Sequence, residues 1–309
     1  MTSQPSSVLF MGSKQLGLRI LQEMHESSAD ILLGVLTLDD TADSRSVYAQ
    51  FKDYCRQNEI PIFTASSRKD SEQVILELRP DLCIVVGWYW LISSAILDST
   101  PCGFIGIHNS LLPQYRGGAP LVWQIINNEP RTGFSIFSFT PGMDDGQIWA
   151  QGSVIVDKSD YVSDVLCKLE RETVSVFRSV YPNILNGTAK PTEQECEPET
   201  YCAQRRPEDG MINWQLTALE IYNFIRAQSE PYPGSFTWID RKKMKVWRAN
   251  IFDKPYFGST GQVARISQEG VYVICGHGTA LLLLEVEIDG VRGKAKDLIR
   301  SIKIRLGNS

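Results

Sequence analysis

The first 110 residues alternate short apolar runs with stretches of helical spacing, and this alternation constrains the fold more than any other feature of the chain. The apolar runs are Ser7 to Met11, Ile31 to Leu38, Ile60 to Phe63, Leu82 to Gly87 and Phe104 to Ile107. Between them, Gln15 to Met24, Val47 to Asn58 and Asp70 to Leu78 place apolar residues at helical intervals. Strands that alternate with helices return parallel to one another through right-handed crossovers, so the expectation is an α/β, Rossmann-like domain with a mostly parallel sheet. Gly12 closes the first strand. The run GSKQLG that it opens departs from the GxGxxG fingerprint, so Gly12 serves first as a tight turn and second as a candidate substrate contact.

Open sheets of this kind bind ligands where strands end. His108, one of three histidines, stands where the fifth apolar run meets a loop containing Pro113, Gly117, Gly118 and Pro120. After it, Leu121 to Asn128 continues as a helix and Gly133 to Phe139 alternates like a strand; the loop Thr140 to Gly146 then brings Asp144 and Asp145. A neutral imidazole accepts a proton near pH 7, and a neighbouring carboxylate fixes its tautomer and stabilises its charged form. His108 and Asp144 are therefore the expected catalytic pair, with Asp145 an equal candidate for the carboxylate. The plainer role of such a histidine is a hydrogen bond to backbone.

Composition sets the remaining bounds. The 309 residues suffice for two domains, and 43% hydrophobic with 22% charged residues is ordinary for a soluble protein. No apolar run is long enough to cross a bilayer, and the start MTSQPSSVLFMGSKQ lacks a basic segment ahead of an apolar core, so a cytoplasmic protein is expected. Cys55, Cys83, Cys102, Cys167, Cys196, Cys202 and Cys275 form no CxxC pair and no metal-ligand spacing; most are expected to be buried, reduced thiols, and no metal is expected. Residues 1–203 hold 15 Lys and Arg against 25 Asp and Glu, a balance of -10, whereas 204–309 hold 16 against 11, or +5. The acidic half argues against a nucleic-acid partner.

Past Gly146, Gln147 to Val156 reads as a strand and Tyr161 to Val180 as a long amphipathic helix that packs across the sheet. Residues 190–210 are rich in Pro, Glu, Gln and Thr, which marks the boundary between a catalytic domain, 1–203, and a second domain, 204–309. The second domain opens with a helix, Ala218 to Ala227, followed by short runs at Thr237 to Trp238, Lys245 to Ala249, Gly261 to Ile266, Gly270 to Cys275 and Ala280 to Val286. Short antiparallel strands of this size suggest a small β-barrel of the OB type. Asp209, Trp214, Arg226 and Tyr232 stand at the junction, and His277 between two glycines reads as a turn residue.

The run HNSLLPQYRG from His108, the pair Thr132–Gly133 and the triplet DDG at Asp144 to Gly146 resemble the signature of 10-formyltetrahydrofolate-dependent formyltransferases. The resemblance extends through DGMINW and the IRAQSEPYPG run of the second domain, and it is nearest to the sugar N-formyltransferases, with similarity to methionyl-tRNA formyltransferase. It implies N10-formyltetrahydrofolate as cosubstrate, His108 and Asp144 as catalytic residues, and Trp88, Tyr89, Trp90, Leu91 and Ile92 as one wall of a pteridine pocket, with Phe139 and Asp145 among the folate contacts. Substrate contacts fall to Gly12, Asn109, Ser110, Tyr115 and Arg116, the last either meeting a substrate phosphate or pinning its loop. The implied partner is a nucleotide-linked amino sugar, with no nucleic acid and no membrane, in a chain compatible with a homodimer. Where the methionyl-tRNA enzymes carry a basic insertion after the second strand, this chain reads DDTADSR. The family's asparagine, two residues before the histidine, is replaced by Gly106.

Overall fold

The computed structural model describes residues 4–194 and 199–307; Cys196 lies outside the described residues. The chain divides into two compact units, one of Met1–Pro120, Arg131–Val154 and Cys167–Cys202, the other of Leu121–Pro130, Ile155–Leu166 and Ala203–Ser309. In chain order the elements up to residue 202 are β1 (Val8–Gly12), α1 (Lys14–Ser28), β2 (Leu32–Leu38), α2 (Tyr48–Gln57), β3 (Ile62–Ala65), α3 (Arg68–Leu78), β4 (Leu82–Val86), α4 (Ser94–Ser99), β5 (Phe104–His108), β6 (Arg116–Gly117), α5 (Pro120–Ile126), β7 (Arg131–Ser138), β8 (Ile148–Ile155), α6 (Val162–Leu185) and β9 (Tyr201–Cys202).

The main sheet runs β3-β2-β1-β4-β5-β7-β8. Its first five strands pair in parallel and β7 returns antiparallel to β5. β1 lies in the middle of the parallel set, and all five of its residues are buried, which is why its sequence VLFMG is an unbroken apolar run. Strand order reverses there: β2 leads away on one side and β4 on the other, and the carboxyl ends at such a reversal are where open α/β sheets bind ligands. α1 buries Leu18, Ile20, Leu21 and Met24, the stripe that helical spacing marks. The later turns of α6 run on past the expected Val180 to Leu185, where Phe177 stacks on Tyr181 at 4.9 Å and the Tyr181 hydroxyl meets that of Ser28. Burial pushes the Tyr181 phenol up to about 12.

In the second unit α7 (Ala218–Gln228) begins with a capping box, the Thr217 hydroxyl and Glu220 carboxylate each satisfying the other's backbone N–H. There follow β10 (Ser235–Ile239), β11 (Lys242–Phe252), β12 (Val263–Ile266), β13 (Val271–Ile274), β14 (Ala280–Ile288), β15 (Val291–Lys294) and α8 (Ala295–Leu298). All pairings are antiparallel, in the order β10-β11-β14-β13-β12 with β15 added on β14. The expected small barrel is met as far as this antiparallel sheet; among the described residues no strand pair joins its two outer edges. Trp214, Ile221, Ile225, Met244, Val246 and Leu283 fill its core. Arg226, 2% exposed, is held by the Asn223 side chain and the carbonyls of Asp157 and Asp160, while His277 sits in a left-handed turn. No helix among the described residues is long and apolar enough to cross a membrane.

Candidate active site

β5 ends at His108, and side chains two residues apart on a strand share a face, so Phe104, position 106 and His108 look the same way. β7 pairs with this strand so that Gly106 faces Phe137 and His108 faces Ser135; one step further, the Phe139 N–H donates to the Phe104 carbonyl at 2.8 Å. Phe137 and Phe139 therefore lie on that same face, diagonal neighbours of His108 and Gly106. Their rings stand 5.3 Å apart, and Phe137 meets the imidazole edge-on at 6.3 Å. A Cβ added at Gly106 would fall 2.2 Å from Phe139 Cε1 and 2.7 Å from Cζ. The ring thus fills the room a side chain at 106 would need, which gives the departure at that position a packing cause.

The imidazole is only 9% exposed. Its Nε2 lies 2.8 Å from the carbonyl oxygen of Tyr115, an atom that can only accept, so Nε2 carries the hydrogen and Nδ1 keeps its lone pair in the neutral ring. Nδ1 faces Asp144 Oδ2 at 3.6 Å, too long for a hydrogen bond. The backbone hydrogen bond expected as the plainer role and the carboxylate expected as the functional partner both occur, on opposite nitrogens. Orientation of the ring comes from the Tyr115 carbonyl, so the expectation that Asp144 itself fixes the tautomer is corrected.

Two backbone features hold this arrangement. Asp144 adopts φ of +50°, a left-handed conformation uncommon for a non-glycine residue, and its Oδ2 accepts the Gly117 N–H at 2.8 Å. Gly117, at φ of +99°, belongs to a two-residue parallel ribbon in which β6 pairs with β9, and a Cβ there would lie 2.5 Å from the Cys202 carbonyl. The Cys202 thiol donates to the carbonyls of Tyr115 and Arg116; burial first, and then the charge of Asp144, push it up to about 11.

The other expected site residues divide. Trp88, Trp90 and Ile92 pack against the core beneath β4, Trp88 and Trp90 edge to face at 5.5 Å, whereas Tyr89 is half-exposed and Leu91 stands 85% exposed. The indole N–H of Trp88 is buried and, among the described residues, has no hydrogen-bond partner, an orphan donor just past the end of β4. Asp145 is exposed and takes the Thr140 hydroxyl; Gly12 is buried, its carbonyl accepting from Thr37. Asn109 and Tyr115 are part-buried on the loop, and Ser110 is fully buried with its hydroxyl donating to the Gln114 carbonyl. Arg116 is 8% exposed and its guanidinium is held by Gln194, Glu199 and Tyr201, so it pins its loop. Among the described residues no cluster of His, Cys, Asp and Glu could hold a metal.

The loop after β2 is folded on its own charges. Lys14 Nζ meets Asp40 at 2.5 Å and Asp43 at 2.9 Å, Arg45 takes Asp43 through Nε and Nη2, and the Tyr89 hydroxyl donates to Asp43 at 3.1 Å. The Arg45 hydrogen bonds hold the Asp43 carboxyl well below the usual carboxylate range. Its two nearest cations are thereby committed within the protein.

A mostly parallel sheet with a histidine at the end of β5 and a carboxylate on the loop after β7 is a Rossmann-like scaffold that carries the elements of an acid–base site. The formyl transferase family model matches residues 6–181 and that of the formyl transferase C-terminal domain matches 205–303; the chain belongs to this family and is a formyltransferase. Methionyl-tRNA formyltransferase of Bacillus subtilis (strain 168) is 28% identical over 307 residues, covering 97% of this chain and 96% of its own. The N-formyltransferase from Helicobacter canadensis, solved with folinic acid and dTDP-3-aminofucose, superposes with a TM-score of 0.69 at 17% identity over 90% of this chain and 98% of its own. A sugar 3N-formyl transferase solved with dTDP and 5-N-formyl-THF gives a TM-score of 0.65 at 18% identity over 90% and 96%. The chemistry is transfer of a formyl group from a folate donor to an amine, with homology to both the sugar and the tRNA enzymes.

Proposed function

We propose that this enzyme moves the formyl group of N10-formyltetrahydrofolate onto the amine of a nucleotide-linked amino sugar. The observation that carries the choice of acceptor is the loop after β2, where two of its three aspartates, Asp40 and Asp43, are tied to Lys14 and Arg45. A surface whose cations are already paired offers little to an RNA backbone, which is held by free Lys and Arg. Likeness in fold to enzymes solved with dTDP and a dTDP-amino sugar supports the same reading.

The residues supply proton transfer and position. The amine nitrogen bonds to the formyl carbon, the bond from that carbon to N10 breaks, and one proton passes from the amine to N10. In this reading the lone pair on His108 Nδ1 takes that proton and returns it to the departing tetrahydrofolate, while Asp144 stabilises the imidazolium between the two steps. Trp88, Trp90 and Ile92 line the folate side, with the orphan indole N–H as a donor to the pteridine. His108→Ala should lower the transfer rate by about 10²- to 10⁴-fold and leave folate affinity unchanged. A variant that transfers at the wild-type rate would remove His108 from the mechanism.

Full-length similarity to methionyl-tRNA formyltransferases favours initiator tRNA as the second reading. Turnover of dTDP-3-aminofucose and UDP-4-amino-arabinose beside initiator Met-tRNA separates the two, and tRNA binding that weakens steeply with salt would favour the second.

A further inference from the structure

We propose that Gln194 is a positioning residue for the transfer step, a clamp that sets the geometry of Asp144 against His108; the inference rests on the reading of those two residues as the working pair. Its amide lies between two loops that are distant in sequence. Nε2 donates to the carbonyls of Asp144 at 2.7 Å and Gly146 at 2.8 Å, while Oε1 accepts from Arg116 Nη2 at 2.7 Å and Nε at 3.2 Å. The Arg116 guanidinium is steadied from the other side by Glu199 at 2.7 Å.

These contacts bear on the site through one further bond. Arg116 adjoins Gly117, whose N–H fixes Asp144 Oδ2, and Arg116 follows Tyr115, whose carbonyl fixes the imidazole. Gln194 thus grips the loop that presents the carboxylate by its main chain, and the loop that orients both partners by its cation. Asp144 needs such a grip, because its left-handed backbone is a conformation an aspartate leaves readily when nothing holds the adjoining peptides. Only a carboxamide meets the requirement, since it donates two hydrogens at one end and accepts at the other.

Two substitutions separate the halves of the clamp. Gln194→Glu keeps the acceptor for Arg116 and turns a lone pair toward two carbonyls; Gln194→Ala removes both ends without repulsion. With N10-formyltetrahydrofolate as donor and dTDP-3-aminofucose as acceptor, both variants should lose about 10²-fold in kcat, the scale of a misplacement near 1 Å. KM for the donor should stay within about twofold and the unfolding midpoint within about 4 °C, about 1–2 kcal/mol for a chain of this size. Crystal structures of the variants should show the Gly117 to Asp144 hydrogen bond broken, a readout that stands even if this acceptor is not turned over. Wild-type kcat, or an unmoved Asp144 in either structure, overturns the proposal. If His108→Asn is inactive while both Gln194 variants are fully active, only the clamp is lost; if none of the three affects transfer, the catalytic pair falls with it.

Discussion

Replacing Gly106 by Asn restores the amide that the family carries at this position and drives it into an occupied space. The new Cβ would stand 2.2 Å from Phe139 Cε1, whereas carbon atoms rest at about 3.5–4.0 Å, so the ring must move by more than 1 Å. Phe139 is part-exposed and can swing, which limits the cost to that of ordinary overpacking, about 1–3 kcal/mol, with part of it the loss of its contact with Phe137. Taking about 2 kcal/mol, the unfolding midpoint should fall by about 4–8 °C. The assay is a double-mutant cycle with Phe139→Ala, followed by thermal and urea unfolding. Because truncating the phenylalanine vacates the space, the double variant should be more stable than the sum of the single changes by about 1–2 kcal/mol. Additivity within about 0.5 kcal/mol, or a Gly106→Asn variant as stable as wild type, would refute the claim that the ring holds this position open. Formyl transfer measured on the double variant then tests the amide with the crowding removed.

Asp43→Asn leaves Lys14 and Arg45 without the carboxylate they share and should cost about 1–3 kcal/mol, read by urea unfolding at pH 7. Since the folded-state value of that carboxyl is depressed, its contribution is complete above the ordinary carboxylate range near pH 4 and fades as the pH falls below it; a wild-type minus variant difference that grows with acidity would contradict this sign. At pH 8, iodoacetamide should label exposed Cys167 well ahead of Cys202, whose thiol is pushed up to about 11; peptide mass mapping that finds Cys202 first would exclude the buried, carboxylate-facing placement. Arg226→Ala strands two backbone carbonyls and the Asn223 amide, and should destabilise the second unit by about 3 kcal/mol in urea unfolding. A midpoint equal to wild type would mean those contacts contribute nothing.

The parallel strands were legible because burial on both faces forces continuous apolar runs, as in VLFMG of β1 and LCIVV of β4. The longer helices were legible to within a few residues for the same kind of reason, one buried stripe repeating every turn, whereas the short α4 and α8 were not expected. The β6–β9 ribbon was not, since two residues have no periodicity and their partners lie 85 positions away. β15 escaped because VRGK, exposed over most of its length, carries no apolar alternation. Of the candidate site, His108 and a carboxylate at Asp144 or Asp145 could be picked out by the punctuation around them, and the family resemblance pointed to Asp144. What orients them is a main-chain carbonyl, a peptide N–H and a glutamine within a polar segment, none of which leaves a mark in local sequence. The Gly106–Phe139 relation was readable only as an unexplained gap until the register of β5 on β7 put the two on one face. Three of the six described cysteines are buried; Cys167, on the outer side of α6, shows that a cysteine's position on a helix decides its burial more than its type does.

The atom that steers the imidazole belongs to every amino acid alike. Whatever side chain stands at position 115, a carbonyl oxygen remains there, so a mutational scan of that site would read as tolerance while the dependence itself goes unseen. Sensitivity should surface instead in changes of chain path, such as a one-residue insertion between Pro113 and Arg116. Comparing substitutions with insertions and deletions across that loop would reveal a requirement that amino-acid identity conceals.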